Sequence, residues 1–343
     1  TEKGGLLLKG PAGTGKTYVI KKNNEMTDDN TCKMAFTNKA SRNCGGSTIH
    51  KTLRITKDFK IDNKTLKKFN FYKYVVVDEI GMVSTKLLNK LKIVKQLYPK
   101  LVFILCGDDR QLPPIEDNGI EVDILNHSIV KYLAHFNSIE LTERQRYDLP
   151  LWEYLKEGFT NGNWGELPKV RVSPEEFVKN RAICYYNKTR KSINKYCNDY
   201  FSKKNDCLFI EDVIKYDKET GLEIVKKSQD TYLYKGLPIM CITNNTKMGL
   251  INSDDYIVID YDDDNIMVQL DICGEENIIN IPIVDFHNLF VMNYVATTHK
   301  SQGATYPNNI YLFDWCKLIE DRRIIYTAVS RGTALSKIFY GTI

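Results

Sequence analysis

Gly10-Pro11-Ala12-Gly13-Thr14-Gly15-Lys16-Thr17 has the spacing GxxxxGK[ST] and follows a short apolar run, Gly5–Lys9. Glycines at 10, 13 and 15 let backbone N–H groups turn inward around phosphate oxygens. A helix starting just after the loop adds partial positive charge. Lys16 supplies a point charge for the β- and γ-phosphates, and the Thr17 hydroxyl reaches Mg²⁺. These residue types at this spacing, Thr14 included, predict a nucleoside triphosphate site.

Val75-Val76-Val77-Asp78-Glu79 supplies the second half of that chemistry. An apolar strand ending in two carboxylates puts Asp78 beside the metal and Glu79 beside the attacking water. Glu79 is the expected general base, since a protein that only binds nucleotide has no need of one. Gly107-Asp108-Asp109-Arg110-Gln111-Leu112-Pro113-Pro114 closes the next apolar run. Gln111 in that octet can either donate to a γ-phosphate or orient water.

These segments need elements to hold them. Gly5–Lys9, Lys33–Phe36, Tyr74–Val77 and Leu101–Cys106 read as buried strands, each a brief apolar run with polar or glycine punctuation. Ser84–Tyr98 has apolar residues at Leu87, Leu91, Val94 and Tyr98, a helical spacing with Ser84 as N-cap and Pro99 as stop. Strand–helix repetition predicts a parallel sheet covered by helices. A second α/β section starts at the strand Arg181–Tyr186 and the helical Thr189–Phe201, and resumes at Asn309–Phe313 and Ile324–Arg331. Between them, at Ile239–Thr243, Tyr256–Asp260, Ile266–Leu270 and Asn277–Ile283, closely spaced β runs predict a small inserted barrel.

The chain has 343 residues, enough for about two domains. It is 43% hydrophobic and 27% charged, and no apolar run approaches the ~18 residues of a membrane span. Membrane-spanning, fibrous and wholly disordered classes are excluded, and no signal-like segment precedes the first motif. Nine cysteines without a CxxC pair argue against a zinc site and for a reducing compartment. The net charge of +5 hides a split: residues 251–287 hold ten acids and no Lys or Arg, leaving +15 elsewhere. A basic body with one acidic module fits a polyanion partner that avoids part of the surface.

With the phosphate motifs placed, the chain resembles a superfamily 1 helicase, and further segments agree in order over roughly residues 5–341. Ala35-Phe36-Thr37-Asn38-Lys39-Ala40 resembles motif Ia, and Ser47-Thr48-Ile49-His50-Lys51 resembles motif Ib. Leu141-Thr142-Glu143-Arg144-Gln145-Arg146 resembles motif IV, with Arg146 the aligned arginine and Arg144 its close competitor. Val295-Ala296-Thr297-Thr298-His299-Lys300-Ser301-Gln302-Gly303 resembles motif V, and Tyr326-Thr327-Ala328-Val329-Ser330-Arg331 resembles motif VI. The wording around Lys300 is similar to the RecD-like, 5′-to-3′ branch. Thr305, where RecD itself tends to have Glu, favours PIF-type and phage Dda-like relatives. Gly236-Leu237-Pro238 and Gly249-Leu250-Ile251-Asn252 also resemble PIF-type segments, but the usual next glycine is Ser253.

The resemblance implies an α/β fold of two RecA-like parallel-sheet domains. Residues 1–145 would form the first, with a small β-hairpin "pin" at about 54–74, and 146–343 the second, with a β-barrel at about 234–290. It implies an ATP- and Mg²⁺-dependent 5′-to-3′ DNA helicase that translocates on single-stranded DNA and opens fork or tailed duplex. An RNA helicase, or an ATP switch or scaffold that does not unwind, are the other readings. Arg146 and Arg331 would be arginine fingers, one from each half, and Gly303 would line the nucleotide. Phe36, Thr37, Asn38, Thr48, His50, Asn187, Thr298, His299 and Lys300 would contact the strand, although Phe36 also suits a core and either histidine a structural place. Arg54–Tyr74, with a local charge of +5, suits either a basic pin with its turn near Asp62-Asn63 or a solvated lysine-rich loop. Relatives carry an adenine-reading glutamine motif upstream of the phosphate loop, which this chain lacks. That implies either a piece of a longer protein, with a covalently linked N-terminal region or replication partners, or adenine held weakly. Localisation would be cytoplasmic or nuclear, with a viral replication site as one setting.

Overall fold

The structure is a computed structural model. It describes all residues except 1–3, 23–28, 57–58, 115, 117–118, 213–228, 246 and 272–276. Two compact units divide the chain. Unit 1 comprises Thr1–Gly165, Gln302–Thr305 and Ile319–Leu335; unit 2 comprises Glu166–Ser301, Tyr306–Leu318 and Ser336–Ile343. The first division thus falls beyond the expected 145, and two later stretches return to unit 1.

Unit 1 contains β1 (Gly5–Lys9), β2 (Thr31–Ala35), β3 (Ser47–Thr48), β4 (Tyr74–Asp78), β5 (Val102–Gly107) and β6 (Ser138–Glu140). They pair in the order β3-β2-β4-β5-β1-β6, and every pairing is parallel. Parallel strands need both faces covered, so β4 reads as an unbroken apolar run, and all five of its residues are buried. Its neighbour β5 contributes Phe103 and Leu105 to the same core. The helix Thr85–Leu97 lies where the spacing predicts, with Leu87, Leu91 and Val94 buried. Ser84 stands at its N-cap but makes no side-chain cap; instead the Thr85 N–H donates to Glu116 Oε1 at 2.6 Å.

The segment expected to be a β-hairpin differs. Asn63–Lys68 is a helix followed by a 3-10 turn, Phe69–Phe71. Asp62, read from sequence as a turn residue, is a helix cap whose carboxylate accepts the Thr65 N–H at 3.1 Å. Phe69 is buried in the unit's core, which ties the segment down. Lys57 and Asp58 lie outside the described residues.

Unit 2 contains β7 (Lys169–Arg171), β8 (Arg181–Cys184), β9 (Leu208–Ile210), β10 (Thr231–Leu233), β11 (Pro238–Cys241), β12 (Asp255–Tyr261), β13 (Asn265–Leu270), β14 (Ile278–Pro282), β15 (Phe290–Met292), β16 (Val295–Thr297), β17 (Ile310–Leu312) and β18 (Ile338–Thr342). A parallel sheet runs β16-β8-β17-β18-β7. The expected barrel segment instead forms an antiparallel sheet β14-β13-β12-β11-β15, which among the described residues has two open ends. Only Asn293 and Tyr294 separate β15 from β16, so the chain passes directly from this sheet into the parallel one. Alternate residues of β12 and β13 (Tyr256, Val258, Ile266, Val268) are buried, and the intervening ones are half-buried. Within the unit, Lys235 pairs with Asp260 and Arg181 with Asp271. No helix among the described residues is long and apolar enough to cross a membrane.

Candidate nucleotide site

The phosphate loop leaves the carboxyl end of β1 and enters the helix Lys16–Lys22. Gly10 and Gly13 sit at φ 153° and 83°. A Cβ on Gly10 would lie 2.6 Å from the Leu141 carbonyl oxygen, and one on Gly13 the same distance from the Tyr147 ring. Glycine is required there by both backbone and space. Lys16 Nζ donates to the Gly10 and Pro11 carbonyls (2.6 and 2.9 Å), which holds the ammonium inside the loop's arc.

Asp78 ends β4, and its Oδ2 accepts the Thr17 hydroxyl at 2.8 Å. Its Oδ1 accepts the Glu79 N–H at 3.0 Å. Glu79 takes a left-handed backbone (φ 53°), which turns the chain as soon as the strand ends. Burial pushes the Glu79 carboxyl up to about 7, and the Asp78 charge adds to the rise while Lys16 and Arg331 oppose it. Burial also raises Asp78. The two carboxyls therefore differ from surface acids in their readiness to take a proton.

Lys16, Thr17, Glu79, Gln111, Arg146 and Arg331 line one cavity of about 920 Å³, together with Gly303 and the phosphate-loop residues Gly13, Thr14 and Gly15. These residues converge there from six segments of the sequence. Both arginines belong to unit 1, which corrects the expectation of one from each half. The helix Arg322–Val329 packs on Leu149–Asn161, with the Phe159 and Tyr326 rings 5.4 Å apart, and this places Arg331 at the cavity. Arg331 is buried, donating to Thr327 O (2.9 Å), Ala304 O (3.1 Å) and Ser330 Oγ (2.8 Å). Arg146 is exposed, lies over the Tyr147 ring, and donates to Thr305 Oγ1 at 2.9 Å. Arg144 donates to the Tyr147 carbonyl at 2.7 Å and does not line the cavity. Gly303, at φ 78°, accepts from Asn43 Nδ2 at 3.3 Å.

Thr17 Oγ1 and Asp78 Oδ2 are adjoining hard-oxygen donors, which suits Mg²⁺ drawing its remaining ligands from phosphate and water. Among the described residues no group of three or more His, Cys, Asp or Glu side chains offers a metal cage. Gln111 Oε1 is buried without a partner among the described residues, a spare acceptor in a cavity-lining residue.

Sequence reading missed several supporting residues. The Tyr326 hydroxyl accepts the Ala12 N–H (2.9 Å) and donates to Asp108 Oδ2 (3.0 Å). The Leu112 N–H donates to Thr327 Oγ1 at 3.3 Å, and Gln302 Nε2 donates to Leu112 O at 3.4 Å. All stand inside segments the motifs had marked, but nothing in their types distinguishes a support from a ligand contact.

The strand-contact candidates divide between the two units. Thr37 and Thr48 cap helices, their hydroxyls accepting from Ala40 N and Lys51 N. Asn38 opens the first of these helices. Phe36 packs against the core, with its ring 6.4 Å from His50. In unit 2, Asn187 opens the helix Asn187–Ser202 and accepts from Arg190 Nε. Thr298 is buried and donates to Cys184 O, so it supports β8 rather than offering a surface, contrary to expectation. His299 is exposed, and Lys300 Nζ donates to Ser253 Oγ at 3.0 Å.

Residues 1–166 match a family model described as an AAA domain. The ATP-dependent DNA helicase PIF1 of Candida albicans is 31% identical over 143 residues, covering 34% of this chain and 16% of that protein. The protein of the same name from Saccharomyces cerevisiae is 30% identical over 179 residues, covering 41% and 21%. The matched stretch is thus about a fifth, or less, of these relatives' own length. The crystal structure of Pif1 helicase from Candida albicans aligns with a TM-score of 0.71 at 20% identity, covering 100% of this chain and 91% of that one. Pif1 from Bacteroides, in complex with ADP-AlF3 and single-stranded DNA, aligns at 0.70 with 19% identity, covering 100% and 89%. At these identities the likeness is one of fold. Fold and site together define a P-loop α/β protein of two units. Within that class the chain is similar to PIF1 helicases, in sequence over the matched stretches and in fold throughout.

Proposed function

We propose that this chain is the motor of an ATP-dependent DNA helicase that moves 5′-to-3′ on single strand and opens tailed or forked duplex. One observation carries the proposal: Lys16, Thr17, Glu79, Gln111, Arg146 and Arg331 line a single cavity, with Asp78 bonded to Thr17. The named activity of the PIF1 relatives supports the same reading.

In this proposal the phosphate loop and Lys16 hold the β- and γ-phosphates. Thr17 and Asp78 would hold Mg²⁺, which when bound would neutralise phosphate charge. Glu79 takes the proton of the attacking water, and Arg146 and Arg331 stabilise the negative charge that develops on the transferred phosphoryl group. A raised Glu79 pKa suits a base working near neutrality. Lys300, His299, Asn187 and the Phe36–His50 segment grip the strand backbone.

Lys16→Ala is expected to lower single-strand-stimulated ATP hydrolysis by at least 100-fold while leaving the thermal unfolding midpoint unchanged. Wild-type protein should unwind DNA duplexes with a 5′ tail and spare those with a 3′ tail. Retained hydrolysis in the variant would remove the site assignment, and activity only on the 3′-tailed duplex would reverse the polarity.

A further inference from the structure

Unit 2 sets two adjacent tyrosines at the carboxyl end of its parallel sheet. Strand β8, expected from sequence to run through Tyr186, stops at Cys184. It lies between β16 and β17, with Cys184 opposite Thr297 and Ile183 opposite Leu312, so the three strands end together. Ligands of open parallel sheets bind beyond such ends. Asp314, two residues past β17, takes over the donors that would have continued β8. Its Oδ2 accepts the Tyr185 and Tyr186 N–H groups at 3.1 and 3.0 Å, and its Oδ1 accepts the Thr189 hydroxyl at 2.8 Å. Asp314 has a left-handed backbone (φ 59°), a strained state that these three bonds maintain.

The result is a braced aromatic pair. The Tyr185 and Tyr186 rings stand edge to face, with centroids 4.7 Å and planes 89° apart. Such a contact uses one ring face, and Tyr186 remains 41% exposed. Neither tyrosine belongs to the apolar core of the unit, and Tyr186 makes no side-chain cap for the helix Asn187–Ser202. The bond from Thr298 to Cys184 O brings the exposed His299 to the same end of the sheet.

We infer that Tyr186, held by Tyr185 and Asp314, is a stacking platform for one base of the single strand. The inference rests on the strand-translocating reading above and adds a base contact where that reading has only backbone contacts. The Asp314 carboxylate already occupies the amides of residues 185 and 186, and its charge opposes a phosphate at that point. A neutral base meets no such opposition. Every base has a π-face, so stacking suits a motor that must hold any sequence.

Tyr186→Ala should weaken nucleotide-free binding of a fluorescent oligothymidylate about 5- to 100-fold. Tyr186→Phe keeps the ring and should stay within about twofold of wild type. The slope of log Kd against log salt should be the same in wild type and Tyr186→Ala, because stacking releases no counterions. An oligomer of abasic sugar–phosphate units should bind both proteins equally, which also shows that the variant is folded. Binding of oligothymidylate by Tyr186→Ala within twofold of wild type, or by Tyr186→Phe as weakly as by Tyr186→Ala, would overturn the inference. So would a salt slope shallower by about 0.7, the mark of one lost phosphate contact. Strand binding through Tyr186 in a protein that opens no tailed duplex would overturn the helicase reading alone, whereas a wild-type protein that binds no single strand would overturn both.

Discussion

The nucleotide cavity and the strand-contact candidates were proposed from the same kind of sequence segment, yet the structure treats them differently. Cavity residues come from segments far apart in sequence and are fixed by short bonds to one another or to backbone: Thr17 to Asp78, Lys16 to the loop carbonyls, Arg331 to Ala304 and Thr327. Strand candidates are spread over both units, and several already have a structural task. Thr37 and Thr48 cap helices, Thr298 supports β8, and Phe36 packs on a core. A small charged ligand demands a few groups at one point, so the spacing of their segments is restrictive. A polymer backbone can be held by almost any surface hydroxyl or amide, so residue type alone identifies little.

The largest effect that can break the cavity side of this contrast concerns its two competing arginines. Arg146 lines the cavity, whereas Arg144 is directed to the Tyr147 carbonyl. Arg146→Ala should reduce the rate of phosphate release at saturating single strand by about 10³, the lower range for arginine fingers. Arg144→Ala should stay within about threefold of wild type. The reverse ranking would transfer the role to Arg144 and show that the side chain of Arg146 serves only its contacts with Thr305 and Tyr147.

A smaller effect sharpens the electrostatic side. Glu79 is raised from 4.5 to about 7, chiefly by burial, with Asp78 adding to it. Between those values the folded protein keeps a proton that the unfolded chain has lost. Stability attributable to Glu79 therefore declines as pH rises from about 4.5 to about 7 and is level above that. Glu79→Gln removes this titration. The nucleotide-free variant should gain on wild type in its urea midpoint between pH 5 and 7, and the gap should be constant from pH 7.5 to 8.5. A gap that narrows over the lower range would mean that Glu79 is held ionised in the folded protein.

Much of the fold was legible because parallel strands buried on both faces advertise themselves: Val75, Val76 and Val77 could hardly belong elsewhere. The phosphate loop was legible for the geometric reason that Gly10 and Gly13 leave no room for a side chain. Asp62-Asn63 misled because aspartate starts helices as readily as turns, and the capping bond to Thr65 is invisible in composition. Closure of the inserted sheet depends on pairing between its end strands β14 and β15, which the alternation of residues along each strand does not specify. Tyr326 and Asp108 were hidden because their partners lie 218 positions apart in the chain. Which half carries Arg331 was likewise unreadable, since packing of Arg322–Val329 on Leu149–Asn161 decides it.

The smallest expected effect lies on the strand side, at the position where a usual glycine is Ser253. The turn keeps the glycine-like backbone, φ 68°, and its N–H donates to Cys241 O at 2.8 Å. A left-handed conformation costs a non-glycine residue about 1–2 kcal/mol. The serine offsets part of this by accepting from Lys300 Nζ, but a hydrogen bond from a partly solvated lysine contributes little net stability. Ser253→Gly should therefore raise the urea unfolding free energy by about 0.5–1 kcal/mol. If Lys300 holds the strand through its charge, the salt dependence of single-strand binding should be the same in this variant, because the ammonium remains. A loss of stability would show that the Lys300–Ser253 bond outweighs the backbone strain. A shallower salt slope would show that Ser253 positions Lys300 for the strand, giving this residue the same kind of supporting role that buried partners have in the cavity.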